Sequence, residues 1–461
     1  MKIYGQRHES MHTAQRSSAA WRLKRLGMGI LLPGTAWATT DPAGPAALPG
    51  EFVLFGLMLL GIAFFSRHAL RTALVGLVCL VVFKCMFTGF RTGPGLVGLL
   101  VQISQEWVTL ANLFCLLTGF AVLARHFEKS HLPTILPRHL YNDWRGGFML
   151  LVMVFTVSTF LDNIAAALIG GTMARQLFRN RVHLGYLTAI VGAANAGGAG
   201  SVVGDTTTTM MWTAGVSPLA VFYAYVGAIL AFPIYAIPAA LQQQRYSPIE
   251  TQVPQGVFVD WTSVSIVLVI LVTTITTNVY VSAAYHAISG RFPFVGLAIW
   301  AAILFSAGFR KPDWCVLPST ARSAVFLLSL VGAAALMPVE KLPAPDWLTT
   351  LGLGFFSAIF DNVPLTALAL KQGRYDWGIL AYAVGFGGSI TWFGSSAGVA
   401  LSNLYPESRS VAQWLRQGWY VTLAYVLGFA ALLATVGWHP SPIAPSAETP
   451  SVETANPISD R

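Results

Sequence analysis

Two Asp-Asn pairs lie in strongly apolar surroundings, Asp162-Asn163 within Thr159 to Ile164 and Asp361-Asn362 within Ala358 to Val363. A glycine-broken apolar stretch follows each. It supplies Asn195, Asp205, Thr206 and Thr207 after the first pair, and Ser389, Ser395 and Ser396 after the second. An ionisable residue in a lipid-embedded segment costs about 2.5–3.5 kcal/mol or more, so its default reading is a site for an ion or a proton. These breaks offer carboxylates, amides and hydroxyls, with no cysteine or histidine. Hard oxygen ligands suit a hard cation rather than a soft transition metal. Desolvation disfavours the charged form of a carboxylate, and a second carboxylate nearby disfavours it further. A pair such as Asp162 and Asp205 is therefore expected to hold a sodium ion or a proton in competition, which is antiport chemistry.

The elements that position these residues follow from composition and hydropathy. The 461 residues are 55% hydrophobic and 10% charged, with a mean hydropathy of +0.61, too apolar for a soluble surface. The expected fold is an all-α polytopic membrane protein surrounded by lipid, multi-pass in an inner (plasma) membrane. The net charge of +9 comes from short basic clusters between apolar segments, so positive-inside loops explain it and nucleic acid does not. A spanning helix needs about 20 apolar residues. The candidates are Ala47 to Phe65, Leu70 to Phe87 and Trp107 to Ala124, then a second trio at Trp261 to Ala283, Pro293 to Phe309 and Ser323 to Met337.

Each trio leads into the same series. First comes the stretch holding Asp-Asn, Gly147 to Phe178 or Trp347 to Leu370, read as a re-entrant hairpin with the pair at its tip. A broken stretch follows, Gly185 to Ala214 or Trp377 to Asn403, and then an ordinary span, Leu219 to Leu241 or Val411 to Val436. Gly197-Gly198 and Gly204-Asp205-Thr206 match Gly387-Gly388 and Gly394-Ser395-Ser396 at a constant offset. The chain therefore reads as two repeats, each of about five transmembrane helices plus a re-entrant hairpin, with broken helices meeting at the midplane. Five crossings per half require the repeats to be inverted. On that topology the inner segments hold Arg67, Arg71, Arg125, Lys129, Arg138, Arg145, Arg175, Arg179, Arg181, Arg245, Arg310, Lys311, Arg322 and Arg409, whereas the outer ones hold only Arg91, Arg291, Lys341, Lys371 and Arg374. That asymmetry obeys the positive-inside rule.

The expected organisation is a segment resembling a signal peptide at 1–38, cleaved after Ala38 or retained. A first repeat over 39–241, a cytoplasmic linker over 242–259, a second repeat over 260–437 and a disordered tail over 438–461 follow. Isolated polar residues are weaker signals. Lys84 is expected to snorkel from a span end, and His126, His131 and His139 fall in a segment, Arg125 to Arg145, read as an interfacial loop. Cys79, Cys85, Cys115 and Cys315 lack metal or disulfide spacing and read as small core residues. For Asn195, Ser389 and the single glycines, helix packing competes with a binding role.

The motifs Phe160-Leu161-Asp162-Asn163, Asn195-Ala196-Gly197-Gly198, Gly204-Asp205-Thr206-Thr207-Thr208-Thr209-Met210 and Asp361-Asn362-Val363-Pro364 resemble those of the ion transporter superfamily with the citrate-transporter-like domain, and among its members the NhaD-type sodium/proton antiporters. The resemblance spans roughly residues 50 to 437 and departs at Gly200-Ser201-Val202-Val203. It implies an inverted-repeat secondary transporter, often dimeric, with Asp162, Asp205 and the adjacent threonines in the cation and proton site. No cofactor is expected, since Na+ and H+ are the cargo.

The leading reading is exchange of Na+ or Li+ for H+. Its rival within transport is sodium-coupled uptake of citrate, a dicarboxylate or another small anion. An ionised aspartate about 6 Å from a substrate carboxylate costs roughly 3 kcal/mol at an effective dielectric near 20, and the breaks contain no Arg or Lys in compensation. A membrane-embedded enzyme would need a nucleophile with its base, or HExxH-like spacing, and a scaffold would not need repeated ionisable residues.

Overall fold

A computed structural model describes residues 49–64, 68–91, 93–132, 140–249, 258–284 and 291–442. The expected signal peptide, most of the expected tail, residues 250–257 of the expected linker, and Arg67, Arg138 and His139 lie outside the described residues. The described residues are helical, with one isolated β-bridge between Phe90 and Gly93. Six of their helices or helix pairs are long and apolar enough to cross a membrane.

The first trio forms α1 (Gly50–Phe64), α2 (Ala69–Phe83), which runs on as a π-turn over Lys84–Thr88, and α3 (Gly95–Lys129). The first Asp-Asn stretch forms α4 (Trp144–Ser158) and α5 (Asn163–Leu177). The first broken stretch forms α6 (Leu184–Ala199) and α7 (Thr206–Thr213), followed by α8 (Pro218–Phe222) and α9 (Ala224–Tyr246). The second trio is α10 (Trp261–Ala284), α11 (Phe294–Ser306) and α12 (Leu317–Ala335). Its series is α13 (Trp347–Ser357), α14 (Asn362–Gln372), α15 (Trp377–Gly387), α16 (Ser396–Leu404), α17 (Val411–Gln417) and α18 (Trp419–Val436).

The first Asp-Asn stretch folds back on itself. A Cβ placed at Gly170, eight residues after Asp162, would strike the side chain of Val154, eight residues before it. The two arms are therefore antiparallel about the Asp162 tip. Helices α6 and α15 form the centre of the core. Every residue of α6 from Gly185 to Ala199 and every residue of α15 is buried, as expected of helices apolar on all faces. Their small residues let neighbours approach closely. Around them pack α4, α9 and α18, while α10, α11, α3, α12, α2 and α1 form a chain of neighbours alongside. The halves interlock crosswise, since α5 packs on α16 and α14 packs on α7.

Several expectations need correction. The third span extends well beyond Trp107 to Ala124, because Gln102 and Glu106 do not end the helix. Gln102 Nε2 instead donates to the carbonyl of Ala335 at 3.0 Å, at the C-terminus of α12. The same helix continues through Arg125, His126 and Lys129, so the start of the expected loop is helical and His126 is buried. Lys84 does not snorkel. It is 6% exposed, and its Nζ donates to the carbonyl of Leu336 at 2.9 Å. Lys371 Nζ donates to the neighbouring carbonyl of Ala335. Single-segment hydropathy missed this because the acceptors, the free carbonyls at the end of α12, come from a distant part of the chain. Substituting Lys84→Met should lower stability by about 2 kcal/mol, the worth of a hydrogen bond to a charged group, read as a fall in detergent-solubilised melting temperature.

Two spans are interrupted. Residues Leu219 to Leu241 fall across α8 and α9, with Pro233 and Pro238 inside α9, and Val411 to Val436 divides at Gly418 into α17 and α18. The expected linker starts late, because α9 runs through Tyr246. Within that last turn Gln243 is fully buried, accepting from the His183 amide at 2.7 Å and donating to the carbonyls of Arg181 and Ser247 at 3.1 Å each.

Candidate functional site

Both helix breaks and both Asp-Asn turns place an acidic or hydroxyl residue at a helix start. Asp162, Asp205 and Asp361 are the N-cap residues of α5, α7 and α14, and Ser395 is that of α16. The two turns share one backbone conformation, with φ −53° and ψ 142° at Asp162 and φ −52° and ψ 143° at Asp361. The breaks share another, with φ −143° and ψ 144° at Asp205 and φ −142° and ψ 152° at Ser395. Aspartate at an N-cap ordinarily accepts from the amides of the first turn. Asp143, Asp346 and Asp376 do so here, whereas Asp162, Asp205 and Asp361 make no capping hydrogen bond. Three carboxylates thus lie at the positive ends of three helices, and Asp205 is held by the Thr207 hydroxyl from the first turn of its own helix.

Side chains from both halves converge on one of them. Asp205, 1% exposed, accepts from Asn163 Nδ2 at 3.1 Å on one oxygen, and from Thr207 Oγ1 at 2.7 Å and Asn362 Nδ2 at 3.4 Å on the other. Each Asp-Asn pair therefore sends its asparagine to the same carboxylate. Asn163 Nδ2 also reaches Asn195 Oδ1 at 3.2 Å. Asn195 in turn donates to Ser389 Oγ at 2.9 Å and Ser395 Oγ at 3.0 Å, joining the two halves. Asp361 Oδ2 accepts from Ser396 Oγ at 3.4 Å, while its Oδ1 is buried and has no partner. Asp162 is partly buried at the tip and within electrostatic reach of both Asp205 and Asp361.

Of the eleven residues singled out in the sequence, Asn163, Asn195, Asp205, Thr207, Asn362, Ser389 and Ser395 share one hydrogen-bonded network, and Asp361 and Ser396 pair with each other. Thr206 opens α7, but Thr207 is the residue whose hydroxyl reaches Asp205. Among the described residues, no three His, Cys, Asp or Glu side chains form a metal-holding cluster. An ion in this locus would thus draw on one or two carboxylates together with neutral amide, hydroxyl or carbonyl oxygens.

Sequence reasoning missed the hydroxyls that fasten the breaks. Ser158 Oγ donates to the carbonyl of Ala194, and Ser357 Oγ donates to that of Val384 at 2.7 Å. Ser201 Oγ donates to the carbonyl of Thr159 at 2.6 Å, and Thr391 Oγ1 donates to that of Ala358. Ser158 and Ser357 each lie four residues before their aspartate, so the register that aligned the two Asp-Asn pairs would have found them. Ser158→Ala and Ser357→Ala should each cost about 1–2 kcal/mol by leaving a buried polar group underpaired, measured as a loss of thermal stability with the double variant near-additive.

Comparison with known proteins bears on what this arrangement does. No family model matches the chain. Sodium/proton antiporter 1 of Arabidopsis thaliana is 25% identical over 439 residues, covering 84% of this chain and 72% of that protein. The Na(+)/H(+) antiporter NhaD of Vibrio parahaemolyticus is 25% identical over 311 residues, 56% of this chain and 72% of its own length. The NhaD of Alkalimonas amylolytica is 27% identical over 313 residues, 56% of this chain and 62% of its own length. The chain is similar to NhaD-type antiporters. Those proteins are transporters, and the apolar helices of this chain are those of an integral membrane protein.

Proposed function

We propose that the chain is a secondary active transporter exchanging Na+ or Li+ for H+ across an inner (plasma) membrane, built from two inverted repeats that meet at the Asp205 network. One observation carries the reading. Three carboxylates lie at the starts of helices within a membrane protein, one of their oxygens, Asp361 Oδ1, is buried without a partner, and the rest of the locus is amide and hydroxyl.

Such a locus cannot hold several ionised carboxylates in low dielectric unless a cation or proton neutralises them. A sodium ion does so by ligation and a proton by bonding to the same oxygen, so binding of one expels the other. The four matched pairs of tip, break and hydroxyl contacts support the repeat. The ion pairs support the topology. Arg91 pairs with Glu340 beside Lys341, all at expected outer positions, whereas Lys129 pairs with Asp313 and Arg310 with Asp260 at expected inner ones. An anionic substrate is disfavoured. Buried Lys84 and half-buried Lys371 are bound to carbonyls at the end of α12 rather than to the break residues.

The test is reconstitution in liposomes with a lumenal pH reporter, adding Na+, Li+, K+ or citrate outside. Na+ and Li+ should evoke a pH change, K+ and citrate should not, and Asp162→Asn should remove the response. Citrate accumulation without a sodium-evoked pH change would overturn the proposal.

A further inference from the structure

A cleft of about 240 Å³ lies between the first hairpin and α10, beside the Asp162 tip but separate from the polar locus. Leu161, Ile169, Val267 and Leu271 are its buried floor, between 3% and 7% exposed, while Phe160 at 56% and Leu268 at 55% are its open walls. At about 30 Å³ per liquid water it has room for about eight, yet it offers them no partners. Its one hydroxyl, Thr156, already donates to the Val152 carbonyl of its own helix. A cleft that offers water no hydrogen-bond partner suits an apolar occupant.

One end of the cleft abuts a charged corner. Phe127 lines it two residues before Lys129, and Val264 lines it one helical turn beyond Asp260. The amide of Asp260 donates to the carbonyl of Ser130 at 2.9 Å, which joins α10 to the end of α3. At that corner Lys129 lies 3.0 Å and Arg125 4.0 Å from Asp313, and Arg310 lies 3.2 Å from Asp260, with all three basic side chains about half exposed. Arg125 also pairs with Glu128, so each of the three has a carboxylate partner, and the corner's excess of one cation over Glu128, Asp260 and Asp313 comes from exposed Lys311, next to Arg310 in sequence.

We propose that this cleft binds one acyl chain of an anionic phospholipid whose phosphate rests on the Arg125, Lys129 and Arg310 corner. The chain then lies against the wall of the hairpin that carries Asp162, so lipid composition reaches the transport locus through Phe160 and Leu161.

The test uses the full chain in nanodiscs containing phosphatidylglycerol with a photoactivatable acyl chain, followed by peptide mapping. Labelling should concentrate in residues 153–161 and 264–271. Leu268→Trp and Thr156→Trp, both at exposed walls, should each reduce it about tenfold, the affinity equivalent of about two methylenes left unburied, with unchanged melting temperature as the folding control. Lys129→Gln and Arg310→Gln should each lower the preference for phosphatidylglycerol over phosphatidylcholine about fivefold. Labelling spread evenly over other exposed apolar faces, such as Val75 and Val78, would overturn the proposal. So would labelling indifferent to both tryptophans, or equal with phosphatidylcholine.

Discussion

Asp205→Asn is expected to reduce sodium-evoked proton exchange at least about 100-fold, equivalent to about 2.7 kcal/mol of lost driving interaction, while the protein remains folded. The substitution keeps the shape of the side chain, but it removes the negative charge and the protonatable oxygen. It also turns one acceptor into an amide donor. That donor faces Asn163 Nδ2 or the donors Thr207 and Asn362, which now bond to the carboxylate at 3.1, 2.7 and 3.4 Å. The measurement is the initial rate of lumenal pH change in proteoliposomes, with a monodisperse elution profile as the folding control. Exchange retained near the wild-type rate would remove Asp205 from the site.

Gly204→Ala should be nearly as damaging by a different route. A Cβ there would strike the carbonyl oxygen of Ser158 and lie 3.0 Å from Gly198 Cα. Both obstacles are backbone, so neither can rotate away, and relief requires the hairpin tip to separate from the break. Overpacking of a core commonly costs about 1–3 kcal/mol, and here the displaced atoms carry Asp205 itself. Loss of both melting temperature and exchange is expected. The matching Gly394→Ala should act in the same direction and more weakly, because its Cβ would meet the Ala358 and Gly388 carbonyl oxygens at 2.8 Å. Gly56→Ala and Gly352→Ala, where a Cβ meets nothing within 4 Å, should leave exchange intact and slightly favour the helices they occupy. Equal effects at all four positions would show that helix propensity, not close approach, governs these glycines.

Much of this site was legible in the sequence because burying a carboxylate in lipid is costly and a break in a membrane helix needs compensation. Those two penalties are local, so they mark Asp162, Asp205 and Asp361 and the glycines around them without reference to any neighbour. The constant offset between Gly197-Gly198 and Gly387-Gly388 then aligned the halves. What stayed illegible depends on contacts between distant segments. Lys84 looked like a snorkelling residue because its acceptor, the Leu336 carbonyl, lies 252 positions away. The third span, expected from Trp107, begins at Gly95, and Gln102 within the added turns is paired with the Ala335 carbonyl of a distant helix. Gln243 looked like part of a linker because the amide it caps, that of His183, belongs to another turn of chain. Ser158 and Ser357 were passed over because serine in an apolar helix is common, although the register of the two Asp-Asn pairs aligns them.

The central claim is competition between Na+ and H+ for one set of oxygens. Calorimetric titration of the purified protein with NaCl, repeated across a range of pH in buffers of differing ionisation enthalpy, measures both the affinity and the protons released. Competition predicts proton release on sodium binding, with apparent affinity weakening by up to about tenfold per pH unit below the site's titration, and both effects lost in Asp205→Asn. Sodium binding whose affinity is the same at every pH, with no proton released, would contradict it.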